Sequence, residues 1–581
     1  MRGTQVRRPG LLAVVILLAG CAPRSPAAAP SAGAGAGAGA GAAPPVPSCR
    51  EAWAPVPEGR RAYDFAADAR STPEGNLGYQ TFAERLPRER CRKAWTVLVY
   101  MAADNKDMPP YAYWHLHSME AAFAEPGQSA ASSLDADVLV QLDLLQPVGV
   151  RRLHMMRSPE PYQPDLDADD FRRSMPADIR SPIVELLAEE TIPPEESLRR
   201  FLDWGVSEYP ADRYLVIVWG HGLGWRPAGL PGNTYDPAVL RGGVAFDDTQ
   251  RAVLDTPGLR GALAAVARAR LGGRPIDVYA SDACLMQSLE VATELADVSR
   301  YVVGSEQIED YLGFPYRTFL PALNGTAPAP PAPAACPQAD AACGAAAMLP
   351  RLQRDAFLPG GLYAEVSPEA AEGFTLSAVA AGALTREVHP AMHRLGAAIA
   401  AYVREDPLRG IDLQVLLDVP RSLGAGTPGF LGGTRDVGVF LAGLRELVEE
   451  EAKRNAEGPT PAVTRLLQAI TSARAALGKA VIAAALGEEY EEDRYTGRLG
   501  ASVWLPHDEQ ELAARLSFFA SSRFYDQPQA PQGAASASPP DGPWRTWLEL
   551  LFTPPEPPES EEAPASMLLD LRPRLSAHAP M

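Results

Sequence analysis

Positive charge is what this sequence is short of. Lysine and arginine number 53 against 72 aspartates and glutamates, a formal net charge of −19. A surface of that sign repels phosphate backbones and anionic lipid headgroups, which argues against nucleic acid as a partner. Long apolar runs are also missing near the start. The run from Leu11 to Leu18 falls well short of the ~20 residues a bilayer-spanning helix needs. Histidine is sparse, eight in all. The pair with helical ligand spacing, His389 and His393 in HPAMH, has Pro390 where the zinc motif His-Glu-x-x-His carries glutamate. That pair is read as helix surface, with no metal assigned. His115 and His117, two apart, face away from each other on a helix. The run GAGAGAGAG follows no strand and precedes no Lys-Ser/Thr, so it is no phosphate loop.

What is present begins with MRGTQVRRPGLLAVVILLAGC: a basic start, a short apolar stretch, then small residues. Leu18-Ala19-Gly20-Cys21 resembles the lipobox of bacterial lipoproteins, in which Cys21 becomes the lipidated first residue. Ala22 after it resembles the outer-membrane sorting rule. Residues 22–47, rich in Ala, Gly and Pro, cannot bury a core and read as a tether. The expectation is an exported, lipid-anchored protein at the outer membrane or cell surface. Export permits disulfides. With Cys21 lipidated, Cys49, Cys91, Cys284, Cys336 and Cys343 remain, an odd number that leaves at least one free thiol. Cys336 and Cys343 could close a small ring, and Cys49 and Cys91 could clip the N-terminal extension. Cys284 is then the odd one out, although other pairings stay open.

From residue 95 the texture is α/β. AWTVLVYMAAD (94–104), ADVLVQLDLL (136–145), YLVIVW (214–219), IDVYASDAC (276–284) and YVVGSEQ (301–307) read as strands. VRRLHMMR (150–157) reads as an edge hairpin, and 158–192 as a surface insertion. Helical spacing occupies 107–125, 194–209, 256–271 and 285–298, with Cys284 at the start of the last. Further helices are expected at 366–381, 386–404, 439–486 and 543–552, with a late strand at 499–506. Strands and helices alternating this way predict a mainly parallel sheet covered on both faces.

In such a sheet functional groups gather where strands lead into loops at their carboxyl ends. Two of those ends carry His221, in WGHGLGW, and Cys284, in YASDACLMQ. A thiol and an imidazole above one sheet edge suit nucleophilic and general acid–base chemistry. A helix N-terminus at Cys284 would favour its thiolate. Gly222 leaves its N–H open to a carbonyl oxygen and, with the N–H of Cys284, could form an oxyanion hole. From these features alone a buried structural cysteine is an equally good reading.

The ordered blocks WTVLVYMAADNKDM, YLVIVWGHGLGW, GVAFDD, IDVYASDACLMQSLE and YVVGSEQIEDYLGFPY resemble the clostripain-like cysteine peptidases, of one structural clan with caspases, gingipains and legumains. The resemblance covers about residues 92–320 and extends more weakly to about 553. It implies a caspase-like, mainly parallel α/β sheet flanked by helices, a helical C-terminal part, and disordered N- and C-terminal tails. His221 would be the general acid/base, Cys284 the nucleophile and Gly222 the oxyanion donor. Asp282 resembles an acidic position near the S1 pocket, where arginine or lysine at P1 is read. Family members with that preference commonly carry an acid before the glycine of Gly-aromatic-x-Tyr. Here Leu312 precedes Gly313-Phe314-Pro315-Tyr316, and Glu309 and Asp310 lie close enough to substitute. Self-cleavage would fall at Arg241 rather than Arg226, which Pro227 follows.

The expected chain order is a signal segment (1–21), a tether and extension (22–91) and a catalytic core (92–323). A low-complexity linker or loop (324–350), a mostly helical C-terminal part of the peptidase (351–553) and an acidic, proline-rich tail (554–581) follow. The chemistry requires no cofactor. Calcium enters as an option through Asp247-Asp248, since some relatives use it, a solvated turn being the ordinary reading. The expected partners are a peptide substrate and, through lipid, a membrane. The alternative is a catalytically silent surface-binding lipoprotein that keeps the fold.

Overall fold

The computed structural model describes residues 92–120, 135–145, 149–156, 183–187, 192–230, 242–361, 373–418, 433–487, 497–526 and 542–552, with a few single positions between them. The signal segment, Cys21, the tether, Cys49, Cys91, Arg241 and the acidic tail lie outside them. Chain contacts separate residues 1–45 from 46–581, and all that follows concerns the second unit.

The strands are β1 (Lys93–Ala103), β2 (Ala136–Leu144), β3 (Gly149–His154), β4 (Ile183–Leu187), β5 (Ala211–Trp219), β6 (Val244–Asp247), β7 (Ala252–Leu254), β8 (Ile276–Asp282), β9 (Ser299–Gly304), β10 (Thr375–Ala380), β11 (Thr434–Asp436), β12 (Val481–Leu486) and β13 (Ser502–Trp504). Nine form one sheet in the order β12-β10-β9-β8-β5-β1-β2-β3-β4. Its five central strands, β9-β8-β5-β1-β2, run parallel. Antiparallel pairs extend both edges.

The helices are α1 (Pro109–Glu120), α2 (Pro194–Glu208), α3 (Thr256–Arg270), α4 (Leu289–Leu295), α5 (Tyr316–Leu323), α6 (Ala341–Phe357), α7 (His389–Glu405), α8 (Leu408–Asp418), α9 (Val437–Arg454), α10 (Pro461–Ala480), α11 (Glu509–Phe519) and α12 (Pro543–Phe552). β1 shows why helices cover both faces. Its side chains alternate, and both sets are buried. Leu98, Tyr100 and Ala102 pack with Leu198 and Phe201 of α2 and Leu259 of α3, in a core that the C-terminal helices complete. Val97, Val99 and Met101 pack on the other face with Leu116 of α1, Phe319 of α5 and Leu349 of α6.

Three expectations are corrected. Within the helix expected at 366–381, TLSAVA (375–380), small and apolar, instead forms the buried strand β10 beside β9. The helix expected through 486 stops at Ala480, and VIAAAL continues as β12, which pairs with β10. The expected late strand is present as β13, paired with β11 outside the main sheet. The surface insertion at 158–192 contributes an edge strand, β4. Within the low-complexity stretch, α6 starts at Ala341, where the Asp340 carboxylate accepts from the N–H groups of Ala342 and Cys343. Cys336 and Cys343 are disulfide-bonded at that start.

Asp436 joins the C-terminal part together. Fully buried, it accepts from Val439 N at 2.9 Å to cap α9, and from Leu499 N at 3.0 Å and Gly500 N at 2.8 Å. Asp436→Ala orphans all three donors and should cost roughly 3–4 kcal/mol, read as a fall in the urea midpoint. A loss below ~1 kcal/mol would show that water or other acceptors replace the carboxylate.

Candidate active site

The site follows from strand register. β5 and β8 are parallel neighbours with Trp219 opposite Asp282. His221 and Cys284 each lie two residues beyond that pair, so the chain delivers them side by side at the sheet's carboxyl edge. Both line a cleft of about 100 Å³, with Asp282, Glu309, Asp310 and Tyr311 around them. The β5 extension must pass close to Cys284. A Cβ on Gly222 would sit 2.4 Å from the Cys284 carbonyl oxygen, so only glycine fits there. Gly222 pairs with Val244, but that bridge uses Leu223 N–H and the His221 carbonyl, not the N–H of Gly222.

Cys284 is the free cysteine among the described residues. Its sulfur accepts from Glu309 N at 3.2 Å, and its S–H points at the Glu309 carbonyl oxygen at 3.7 Å. Burial pushes the thiol pKa up to about 12, with the Glu309 and Asp282 carboxyls adding to the rise. The expectation that a helix starts at Cys284 is overturned. α4 begins at Leu289, capped by the Ser288 hydroxyl. The N–H groups of Leu285 and Gln287 instead bond sideways to the carbonyls of Gln307 and Ser305. With Leu285 at φ +64°, this stretch runs as a strand-like edge, so no helix dipole acts at the thiol.

His221 is buried, and its Nε2 lies 3.1 Å from Asp107 Oδ1. Asp107 stands in the loop between β1 and α1, and its other oxygen accepts from the Tyr311 hydroxyl at 3.2 Å. Burial raises the Asp107 pKa, but the His221 hydrogen bond and charge outweigh it and hold the group below its ordinary value. Neither Asp107 nor Tyr311 was singled out from the sequence. Asp107 follows a strand end just as His221 and Cys284 do, and that was the signal available.

The three expected pocket acids differ in role. Asp282 is buried, accepting from Phe314 N at 3.1 Å and from the Tyr316 hydroxyl at 2.7 Å. Burial lifts it to about 7 against those bonds. Gly313 is required beside it: at φ +53°, a Cβ there would fall 2.5 Å from the Asp282 carboxylate. Asp310 is used in its own loop, accepting from Leu312 N and the Ser367 hydroxyl. Glu309 is only 9% exposed, and its carboxylate oxygens make no hydrogen bond of good geometry, the backbone of Ala283 giving them only partial relief. Burial, then the nearby Asp282 charge, drives its pKa far upward. Leu312 leaves no gap in the cleft, because it packs with Trp114, Phe357 and Tyr363 in a separate small core.

The remaining candidates are structural. His389 and His393 are not at the surface. Both Nε2 atoms meet the Phe524 carbonyl, at 3.0 and 2.8 Å, and burial lowers both pKa values, His393 to about 4. His115 Nε2 meets the Tyr311 carbonyl at 3.1 Å, and burial lowers it to about 3. His117 is buried on the same helix. Asp247 accepts from Gln250 N in the turn between β6 and β7. Among the described residues no three His, Cys, Asp or Glu side chains are grouped to hold a metal. Arg226 is buried beside Thr256, which removes it as an exposed cleavage point. No helix among the described residues is long and apolar enough to cross a membrane.

Comparison with known proteins now bears on this geometry. The clostripain family model matches residues 99–334. A secreted cysteine protease from Bacteroides thetaiotaomicron, solved with an irreversible peptide inhibitor, is 16% identical. That match covers 74% of this chain and 98% of that one, at a TM-score of 0.43. An inactive zymogen protease from Parabacteroides distasonis is 18% identical, covering 75% of this chain and 97% of its own, at 0.45. No curated protein matches. The mainly parallel sheet and the family match define a cysteine-type peptidase of caspase-like fold. Over residues 99–334, the chain is similar to the clostripain family.

The raised thiol pKa makes a prediction for the ligand-free protein. Alkylation of Cys284 by iodoacetamide, followed at its own peptide by mass spectrometry, should rise about tenfold per pH unit from 7 to 9. A rate already level above pH 7 would mean a preformed thiolate.

Proposed function

We propose that the protein is an endopeptidase in which Cys284 and His221 form the catalytic dyad, with arginine or lysine read at P1. The observation that carries the specificity is Glu309: a buried, under-satisfied carboxyl that no side chain pairs, in the cleft that also holds Cys284 and His221. A buried polar group left unpaired is costly. A guanidinium or ammonium entering the cleft supplies the missing donors and the opposite charge. Asp282 beside it adds negative potential once ionised.

In the reaction, the Cys284 thiol proton passes to the His221 imidazole and the sulfur attacks the scissile carbonyl carbon. The N–H groups of Gly222 and Cys284 receive the developing oxyanion. The C–N bond then breaks as His221 returns the proton to the leaving amine, and a thioester remains. Water, deprotonated by His221, hydrolyses it and regenerates the thiol. The Glu309 backbone must release the sulfur first. Substrate engaging the Glu309 side chain provides a reason for that segment to move. For its setting, we carry forward export through the N-terminal segment and lipid attachment at Cys21, to be tested by metabolic lipid labelling of wild type and Cys21→Ala.

The test is a fluorogenic peptide library varied at P1. Cleavage should be fastest with arginine or lysine and should vanish in Cys284→Ala and His221→Ala. Glu309→Gln should lower kcat/KM for those substrates about 100-fold, while neutral-P1 peptides change less than ~3-fold. The pH dependence has a fixed sign. Asp282 and Glu309 hold protons in the empty cleft and lose them when a cation binds. Affinity for basic P1 substrates should therefore improve as pH rises from 5 toward the empty-cleft value of about 7 for Asp282. No thiol-dependent turnover on any peptide would favour the silent peptide-binding lipoprotein.

A further inference from the structure

The loop after β1 brings a third group to the imidazole. We propose that Asp107 is a positioning residue for His221 and that, through the Tyr311 hydroxyl, it ties the imidazole to the segment carrying Glu309. This rests on His221 being the general acid/base, as proposed above.

The geometry supports it at both ends. Asp107 Oδ1 is 3.1 Å from His221 Nε2, and Oδ2 accepts from Tyr311 Oη at 3.2 Å. Tyr311 is itself fixed. Its ring stacks on Tyr111 with centroids 4.2 Å apart and planes 10° from parallel. Its backbone carbonyl meets His115 Nε2 at 3.1 Å. The same ring stands edge-on to the imidazole, 6.2 Å away at 77°. One short acidic side chain thus joins three separate elements: the β1–α1 loop, the end of β5, and the loop between β9 and α5.

The chemical consequence is a fixed tautomer. An ionised carboxylate only accepts, so the hydrogen of a neutral His221 ring sits on Nε2. Nδ1 is then the nitrogen left to take the Cys284 proton and return it to the leaving amine. When it does so, the imidazolium forms beside a standing negative charge, and Asp107 keeps its own charge throughout. The Asp107 side chain is 45% exposed, so solvent screens this effect and it should fall below that of a buried triad aspartate. Tyr311 adds a second role. Two residues before it, Glu309 holds the Cys284 sulfur through its backbone. A shift of this segment as the pocket fills is therefore felt at Asp107, and through it at the imidazole.

The test compares Asp107→Asn, Asp107→Ala, Asp107→Glu and Tyr311→Phe in the full-length protein, on the peptide wild type cleaves fastest. The other titratable groups lining the cleft are Cys284, Asp282, Glu309 and Asp310, and all stay unchanged. Asp107→Asn and Asp107→Ala should lower kcat about tenfold with KM within ~2-fold. The acidic limb of the kcat/KM profile should move down by about half to one pH unit, because the imidazolium loses its neighbouring charge and the neutral base persists to lower pH. Asp107→Glu should recover activity to within ~3-fold, and Tyr311→Phe should lose about 3-fold, the scale of one hydrogen bond.

The inference is overturned if Asn and Ala at 107 leave the acidic limb within ~0.2 units and kcat within ~2-fold while His221→Ala is inactive. Wild-type turnover in His221→Ala would instead sink the assignment beneath it. If Asp107→Asn lowers the melting temperature, the acidic limb decides: it moves in Asp107→Asn and stays in place in Asp107→Glu, whereas a merely structural role moves stability and not that limb.

Discussion

The parallel register of β5 and β8 is the constraint on which the rest depends. With Trp219 opposite Asp282, equal two-residue overshoots set His221 beside Cys284. A one-residue slip would separate them and turn every β8 side chain to the other face. The register is secured by burial. Both faces of β5 and β8 are covered, so neither strand has a solvent face to slide onto. β1, on the far side of β5, ends in the loop that carries Asp107, so three adjacent strand ends furnish the imidazole, the thiol and the carboxylate. β1 and β5 also flank the point where the chain reverses its direction across the sheet, the place where open α/β sheets bind ligands.

A second constraint is electrostatic. Asp282 and Glu309 share a desolvated cleft; burial raises the proton affinity of both, and the Asp282 charge adds to the rise at Glu309. The empty cleft therefore holds protons instead of charge, and its negative potential develops when a cation arrives. The thiol follows the same logic. Half-buried under the Glu309 backbone and beside two carboxyls, it rests protonated. Substrate side chain and nucleophile thus respond to one short segment, 307–311, which also carries Tyr311 and its bond to Asp107.

Much of this was legible in the sequence because buried parallel strands announce themselves as continuous apolar runs. WTVLVYMAA, YLVIVW and IDVYAS were read correctly as strands, and the strand ends then nominated His221 and Cys284. What failed had physical causes. TLSAVA and VIAAAL are short and alanine-rich, a composition that helices share, and only pairing, of TLSAVA with β9 and of VIAAAL with TLSAVA, decides them. LMQSLEVATEL has helical spacing from its start, yet lateral bonds to 305–307 delay the helix to Leu289. The Asp107–His221 contact spans 114 residues, and no local pattern encodes it. Leu312 was read as a lost acid, whereas it packs in a core, and in the proposed reading Glu309, three residues earlier, takes the chemical role.

The account's central claim is that Cys284 is the atom acylated by substrate. The most direct measurement is peptide mapping by mass spectrometry after reaction with an arginine acyloxymethyl ketone peptide. The account predicts one adduct, on the peptide carrying Cys284, appearing in step with loss of activity. An adduct on any other residue, or full inactivation with Cys284 unmodified, would contradict it.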